Sequence, residues 1–243
     1  MIQAYRINTD SSDLYSEMSA IPATELECVN WKEYPYRPEV TLRLGYSSTA
    51  LAILFEVSEE HILGTVQDDC GPVWENSCCE FFIENPTGEG YLNFEMNCIG
   101  TLLAARRKSR QEFEFLSKAE LKEINRFCSL PQKPVDIINP EQKYWIAEVI
   151  PFSILGLDTV PESIRANFYK CGDKCRTPHF VSLFPIGLPS PDFHCPEFFQ
   201  EIIQCFLRSK IRDFTTDLTT NKSFNLNVIR LIPLLTYSMI TFQ

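Results

Sequence analysis

Long apolar runs are the first thing this sequence lacks. No stretch approaches the roughly 18 uninterrupted apolar residues of a membrane-spanning helix. The best candidate, residues 228–242, is broken by Arg230 and Pro233, so no membrane partner is expected. Positive charge is short as well: 22 Lys and Arg stand against 32 Asp and Glu, a net charge of −10. A non-specific nucleic-acid binder draws its affinity from a basic surface, and that class is excluded. No basic stretch leading into an apolar core opens the chain, the pattern an export signal needs. As written, the sequence is expected to be cytoplasmic, or periplasmic or extracellular if a signal lies upstream.

Glycine is scarce, at 9 residues, and histidine scarcer, at 3. Cysteine is plentiful, at 10 residues, yet it lacks ordered spacing: no C-x-x-C pair occurs anywhere. Zinc ribbons and redox motifs need such pairs. Cys171 and Cys175 come nearest, with no matching second pair, and His61, His179 and His194 are too scattered to suggest a metal cluster. The cysteines therefore read as free thiols, which suits a reducing compartment.

What is present is alternation at strand length. Val40, Leu42 and Leu44 alternate with Thr41 and Arg43, the period of a half-buried strand. Residues 51–57 form a nearly continuous apolar run. Over 78–84, Cys79, Phe81 and Ile83 take one face and Glu80, Phe82 and Glu84 the other. Over 91–98, Leu92, Phe94, Met96 and Cys98 oppose Tyr91, Asn93, Glu95 and Asn97. Segments 100–105, 144–150, 164–169 and 198–206 complete a set of about seven to nine strands. Pro86-Thr87-Gly88 predicts a hairpin turn. One helix is expected, with Ser117 and Glu120 spaced as a capping box and Leu121, Ile124 and Phe127 on one face. The fold class is mainly β: an antiparallel two-sheet β-sandwich over 1–207 with a short helical insertion near 117–127. Residues 208–243, polar at first and then apolar around Pro233, read as a C-terminal appendage.

Four segments in order resemble carbohydrate-binding module family 9, in the form of its single-domain relatives. They are NWKEYPYRPEV at 30–40, PVWENSCCEFFI at 72–83 followed by YLNFEMNCIGT at 91–101, WIAEVIPFSILG at 145–156, and the run from RANFYKCGD at 165–173 through TPHF at 177–180 to DFHCPEFFQEI at 192–202. The resemblance implies a DOMON-like β-sandwich that binds the ends of mono- or oligosaccharides without catalysis. It also implies a structural calcium ion.

A pyranose offers an apolar C–H face and a fringe of hydroxyls, so its site needs an aromatic platform ringed by charged or amide partners. By resemblance, Trp74 matches a stacking tryptophan and Glu80 a hydroxyl-binding carboxylate. Asn97 shares its strand face with Asn93 and Glu95, and Arg165 shares one with Asn167. If those strands are neighbours, Arg165, Glu80, Glu95 and Asn97 form one polar field beside Trp74; the alternative is the ordinary wet face of a sandwich. His179 is the remaining candidate, either on a hydroxyl or packed against backbone, and His194 invites the same two readings. Trp145 reads as core, Trp31 as a structural aromatic, and the basic run Arg106-Arg107-Lys108 with Arg110 as a solvated loop. Leu183 stands where the related proteins usually carry tryptophan. If that tryptophan is the second wall of a slot, affinity falls several-fold to about tenfold, or the ligand differs.

Three rival readings have less behind them. Glycosidases need two carboxylates flanking a bond; Glu80, Glu84 and Glu95 are candidates, but none shows evident desolvation in the sequence. A haem held by Met96 and His179 lacks any C-x-x-C-H attachment. A sandwich without ligand, serving as an interaction module, is the third.

Overall fold

The alternating segments become strands in the computed structural model, which describes residues 2–139 and 142–203. The appendage expected at 208–243 lies outside the described residues. In chain order the first strands are β1 (Ala4–Arg6), β2 (Thr24–Glu25), β3 (Cys28–Val29), β4 (Glu39–Tyr46), β5 (Ala50–Ser58), β6 (His61–Gly64), β7 (Cys78–Glu84) and β8 (Tyr91–Asn97). They continue as β9 (Leu102–Arg107), β10 (Phe113–Phe115), β11 (Asn125–Cys128), β12 (Val135–Ile138), β13 (Lys143–Pro151), β14 (Ser163–Cys171), β15 (Phe180–Ser182) and β16 (Gln200–Ile203). Two short helices, α1 (Leu14–Ser19) and α2 (Lys118–Glu123), interrupt them. Among the described residues no helix is long and apolar enough to cross a membrane.

One sheet runs β1-β4-β5-β13-β11 with β2 also on β4. The other runs β10-β9-β8-β7-β14-β15-β3 with β16 also on β14, while β12 pairs with β6. The pairings are antiparallel except β1 on β4. The hairpin expected at Pro86-Thr87-Gly88 joins β7 to β8. Its closing residue is Gly90, with φ +89°, where a Cβ would lie 1.9 Å from the Arg107 carbonyl oxygen. Only glycine tolerates both demands.

The apolar parity of each strand decides which faces meet. Leu42 and Leu44 of β4, Ile53 and Phe55 of β5, and Ile146 of β13 pack against Phe81, Phe94, Met96 and Phe168 of the second sheet. Phe81 stacks on Phe94 at 5.8 Å and on Phe168 at 5.0 Å, and Phe55 reaches Phe168 across the interface at 6.2 Å. Each such ring withdrawn from water contributes about 1.5–3 kcal/mol, so this layer dominates the cohesion of the sandwich.

The outer faces are covered too. Ala52, Leu54, Ala147 and Val149 lie under Leu14 and Met18 of α1. On the second sheet, Phe82, Tyr91 and Tyr169 pack under Trp31, Phe193 and Phe199. Trp31 is thus structural as expected, its indole N–H donating to the Leu188 carbonyl at 2.9 Å. Trp145 is not core: it is half-buried on the outer face, stacked on Tyr15 with centroids 4.7 Å apart.

The helical insertion is shorter than expected. The capping box forms, with Glu120 N–H donating to Ser117 Oγ at 3.3 Å and Ser117 N–H to Glu120 Oε2 at 2.7 Å. The helix then stops at Glu123, because Ile124 turns extended and Asn125–Cys128 pair with β13. Phe127 serves that ladder opposite Ala147, not a helical face. Sheet pairing along the edge of β13 overrides the helical period.

The same parity aims Glu148 inward, between Ile146 and Ile150. Burial raises its carboxyl to about 8, opposed in part by the charge of Arg126, its cross-strand neighbour. An acid raised in the folded state holds extra protons there, so its contribution to stability falls as pH rises from the ordinary carboxylate range to about 8. Glu148→Gln should therefore narrow the stability gap between acidic and alkaline solution by about 2–4 kcal/mol, read from denaturant melts on either side of that window. An unchanged gap would show that Glu148 is not the group responsible.

Candidate functional site

On the covered face of the second sheet the roof is incomplete, leaving a cavity of about 300 Å³. Its floor is made by Glu80 of β7, its cross-strand partner Glu95 of β8, and Cys171 of β14, whose strand also pairs with β7. Its rim carries Trp74 on one hand and Phe113 and Phe115 of β10 on others. These three aromatics keep 39%, 44% and 40% of their surface exposed. Such large apolar side chains left open around a polar floor are available to a ligand.

Local structure places Trp74. Pro72 leads into a single 3-10 turn, Val73–Glu75, in which Val73 is buried while Trp74 points outward. Two main-chain bonds tie this turn to the loop after β14: Asp173 N–H to the Trp74 carbonyl at 3.3 Å and Lys174 N–H to the Glu75 carbonyl at 2.9 Å. Asn76, next in sequence, accepts from the N–H groups of Thr65 and Val66, each at 2.9 Å. The platform is held on both sides, by main-chain bonds to 173–174 and by the Asn76 side-chain oxygen, so little ordering remains for a ligand to impose.

The floor is acidic and out of water. Burial raises the Glu80 carboxyl well above its ordinary range, Glu95 beside it adds to the rise, and the Cys171 thiol donating at 3.0 Å opposes it. Glu95 is raised to about 7, again first by burial, with Arg107 and the amide of Asn93 opposing. Asp173 is raised to about 6 by burial and by Glu75. Arg107 is anchored by its Nε on Asn93 Oδ1 at 2.6 Å and lies 4.3 Å above the Phe113 ring, a cation–π contact. His194 is held neutral by burial and by the charge of Arg107, its value lowered to about 3. Burial raises the Tyr91 hydroxyl, so it stays protonated, and it shares a hydrogen bond of 2.9 Å with His194 Nδ1. The arrangement offers donors, acceptors and convertible carboxyls around one small volume.

Of the residues picked from the sequence, Trp74 and Glu80 come together here, with Glu95 as their neighbour. Asn97, Arg165 and His179 do not join them. Asn97 has the right face but lies at the end of β8. Its Nδ2 donates to the Val66 carbonyl at 2.8 Å, and its Oδ1 accepts from the N–H groups of Ile99 and Thr101. Arg165 lies at the far end of β14, paired with Glu84 at 3.0 Å. His179 is buried behind the sheet against Lys170 and Glu59. Leu183 packs against the inner core rather than the rim.

The basic run is solvated at Arg106, Lys108 and Arg110, as expected, but not at Arg107. Arg107 belongs to β9, lies opposite Tyr91 and is only 8% exposed. Arg110 pairs with Asp192 at 3.0 Å on the rim. Sequence reasoning also missed Phe113, Phe115 and Asp173; the F-E-F alternation at 113–115 was the available signal for the first two.

The pattern of the family described as carbohydrate-binding family 9 matches residues 11–204. Among solved structures, a candidate carbohydrate-binding protein from Bacteroides uniformis is 34% identical, with a TM-score of 0.76 over 82% of this chain and 96% of that one. Two structures of a family 9 carbohydrate-binding module from Caldicellulosiruptor kristjanssonii, one with glucose and one with cellotriose, are each 11% identical. Their TM-scores are 0.51 and 0.52, covering 84% of this chain and 94% and 93% of theirs. At that identity the likeness is one of fold. No curated protein matches.

Proposed function

This chain belongs to carbohydrate-binding family 9, and on that premise we propose that the cavity between Trp74 and the aromatics of β10 receives a sugar ring. The observation that carries the reading is one exposed tryptophan on the rim of a cavity floored by two cross-strand carboxyls. A C–H face of the ring stacks on the indole while hydroxyls reach Glu80 and Glu95, each able to accept and, when protonated, to donate. Arg107 supplies donors for ring and hydroxyl oxygens, and the neutral His194 ring adds a further polar edge. At about 300 Å³ the cavity is at the small end of ligand sites, which suits one or two rings at the end of a glycan.

The family is one of binding modules, and the absence of hydrolysis by this chain is part of the proposal. A glycosidase flanks the scissile bond with two carboxyl groups, whereas Glu80 and Glu95 sit side by side on one floor. The calcium ion implied by the resemblance needs six to eight oxygen ligands. Among the described residues, the one convergent set of three His, Cys, Asp or Glu donors contains two sulfurs and does not fit it. No calcium-dependent step enters the proposal.

Calorimetric titration with glucose and short cello-oligosaccharides is the direct test, run with chelator and then with calcium. Saturable heat is expected, and Glu80→Ala should weaken binding about tenfold, the loss of one side-chain hydrogen bond. An absence of heat with every mono- and disaccharide tried would overturn the reading.

A further inference from the structure

Beside Glu80, the floor of the cavity and the layer under it contain two thiols that sugar recognition does not use. Cys78 and Cys171 are cross-strand partners in the β7–β14 ladder, and their side chains share the outer face with Glu80. The two sulfurs and a Glu80 oxygen all lie within 4.8 Å of one another. We propose that Cys78, Glu80 and Cys171 ligate a thiophilic divalent ion, zinc by its preference for this donor set, with its remaining position open to the cavity.

Four points support the assignment. The donor chemistry is thiolate, thiolate and carboxylate, which selects zinc over calcium or magnesium. Tetrahedral zinc, with bonds of about 2.3 Å to sulfur and 2.0–2.2 Å to oxygen, sets its ligand atoms roughly 3.5–3.8 Å apart. The three donors already lie within 4.8 Å of one another, with Cys171 Sγ 3.0 Å from a Glu80 oxygen, which brackets that spacing. An entry path exists, because Glu80 and Cys171 line the cavity while Cys78 lies fully buried beneath them. A cation to offset part of the negative charge left by three anionic ligands is also in place: Arg107, whose charge acts on both Glu80 and Glu95. On binding, two thiol protons leave to solvent, with the Glu80 proton where it is present, and no redox partner is needed. Three protein ligands with one exchangeable position is the pattern of zinc sites that hold water or a ligand. The claim does not depend on sugar binding.

The test uses the full chain, reduced and stripped with chelator, and cobalt(II) as the spectroscopic probe. One cobalt per chain should give a thiolate-to-cobalt absorption band and tetrahedral ligand-field bands, both abolished by added zinc. Cys78→Ser and Cys171→Ser should each weaken binding at least about tenfold, since even the outer partners of metal ligands are worth that much. Glu80→Gln should retain the thiolate band at lower affinity, and Cys28→Ser, outside the set, should change nothing. X-ray absorption on the zinc-loaded unmutated protein keeps the claim testable if the serine variants fail to fold; it should show two sulfur neighbours at about 2.3 Å. The proposal falls if no cobalt band appears, if the band survives loss of either cysteine, if the zinc shell contains no sulfur, or if non-reducing mass analysis shows Cys78 bonded to Cys171 and metal refused.

Discussion

Lys170→Met should cost the fold about 3–5 kcal/mol, the penalty for stranding a buried partner charge. Lys170 lies on β14 with the parity of Ala166 and Phe168, so its side chain enters the inner layer, where it is 0% exposed. The ammonium is hydrogen-bonded to the Cys171 carbonyl at 2.7 Å and to His179 Nε2 at 2.8 Å, and it forms an ion pair with Glu59 Oε2 at 2.9 Å. The Tyr144 hydroxyl donates to the other Glu59 oxygen at 2.9 Å. Burial opposes the charge on Glu59, but Lys170 overrides it and holds the carboxyl down to about 2. Burial and the Lys170 charge hold His179 neutral, so its Nδ1 donates to the Thr177 carbonyl at 2.9 Å and Nε2 accepts.

Methionine fills most of the lysine's volume and leaves Glu59 with Tyr144 and the neutral His179, whose Nε2 lies 3.3 Å away, and no cation. At about 2–4 °C per kcal/mol for a chain of this size, the melting temperature should drop by roughly 6–20 °C. The double change Lys170→Met with Glu59→Leu should recover most of it, because removing both charges avoids the stranded one. The pH profile offers a check. A carboxyl lowered to about 2 stabilises the fold above its ordinary range, and the contribution is lost as pH falls toward that value. The double variant should lack that acid loss. A single variant as stable as the parent would mean that water reaches Glu59.

Trp74→Ala should weaken sugar binding about 30-fold or more, the loss of at least 2 kcal/mol typical of a tryptophan at the centre of a site. Its stability should change little, because the ring is 39% exposed and the bonds that hold its turn are made by the main chain. Calorimetry and a thermal melt on the same preparation separate the two effects. Trp74→Phe should restore part of the affinity, since a smaller ring still presents a face. A variant that binds as tightly as the parent would move the platform to Phe113 and Phe115. Those two also bear on Leu183: the missing tryptophan need not leave the site one-walled, because the β9–β10 hairpin brings aromatics to the rim from elsewhere in the chain.

Much of the site could be read from parity. The W-x5-E spacing and the alternation over 78–84 place Glu80 on the face away from Phe81, and the run at 91–98 puts Glu95 on a matching face. Parity also puts Asn97 and Arg165 on that face, correctly, yet cannot say where along the strand a ligand lies. Asn97 sits at the strand end that must clamp the 65–76 loop, and Arg165 at the opposite end beside Glu84. Lys170 carried a signal that went unread: a lysine in phase with Ala166 and Phe168 has to enter the core and needs a counter-charge there. Arg107 carried none, because a basic run has the composition of a solvated loop until the 191–194 segment roofs it.

By itself, then, the sequence determined the two-sheet sandwich, the sidedness of nearly every strand, the hairpin after β7 and the capping box at Ser117. These depend on neighbours two to four residues away, whose spacing the local backbone geometry dictates. It also carried enough of the family's ordered segments to point to carbohydrate. Only the tertiary structure decided which carboxyls share a floor, that Arg107 is buried among them, that the helix yields to β11 after Glu123, and that Cys78 meets Cys171 across 93 residues of chain. Those outcomes rest on strand register and on loops laid over a sheet, and long-range packing sets both where no local period can record them.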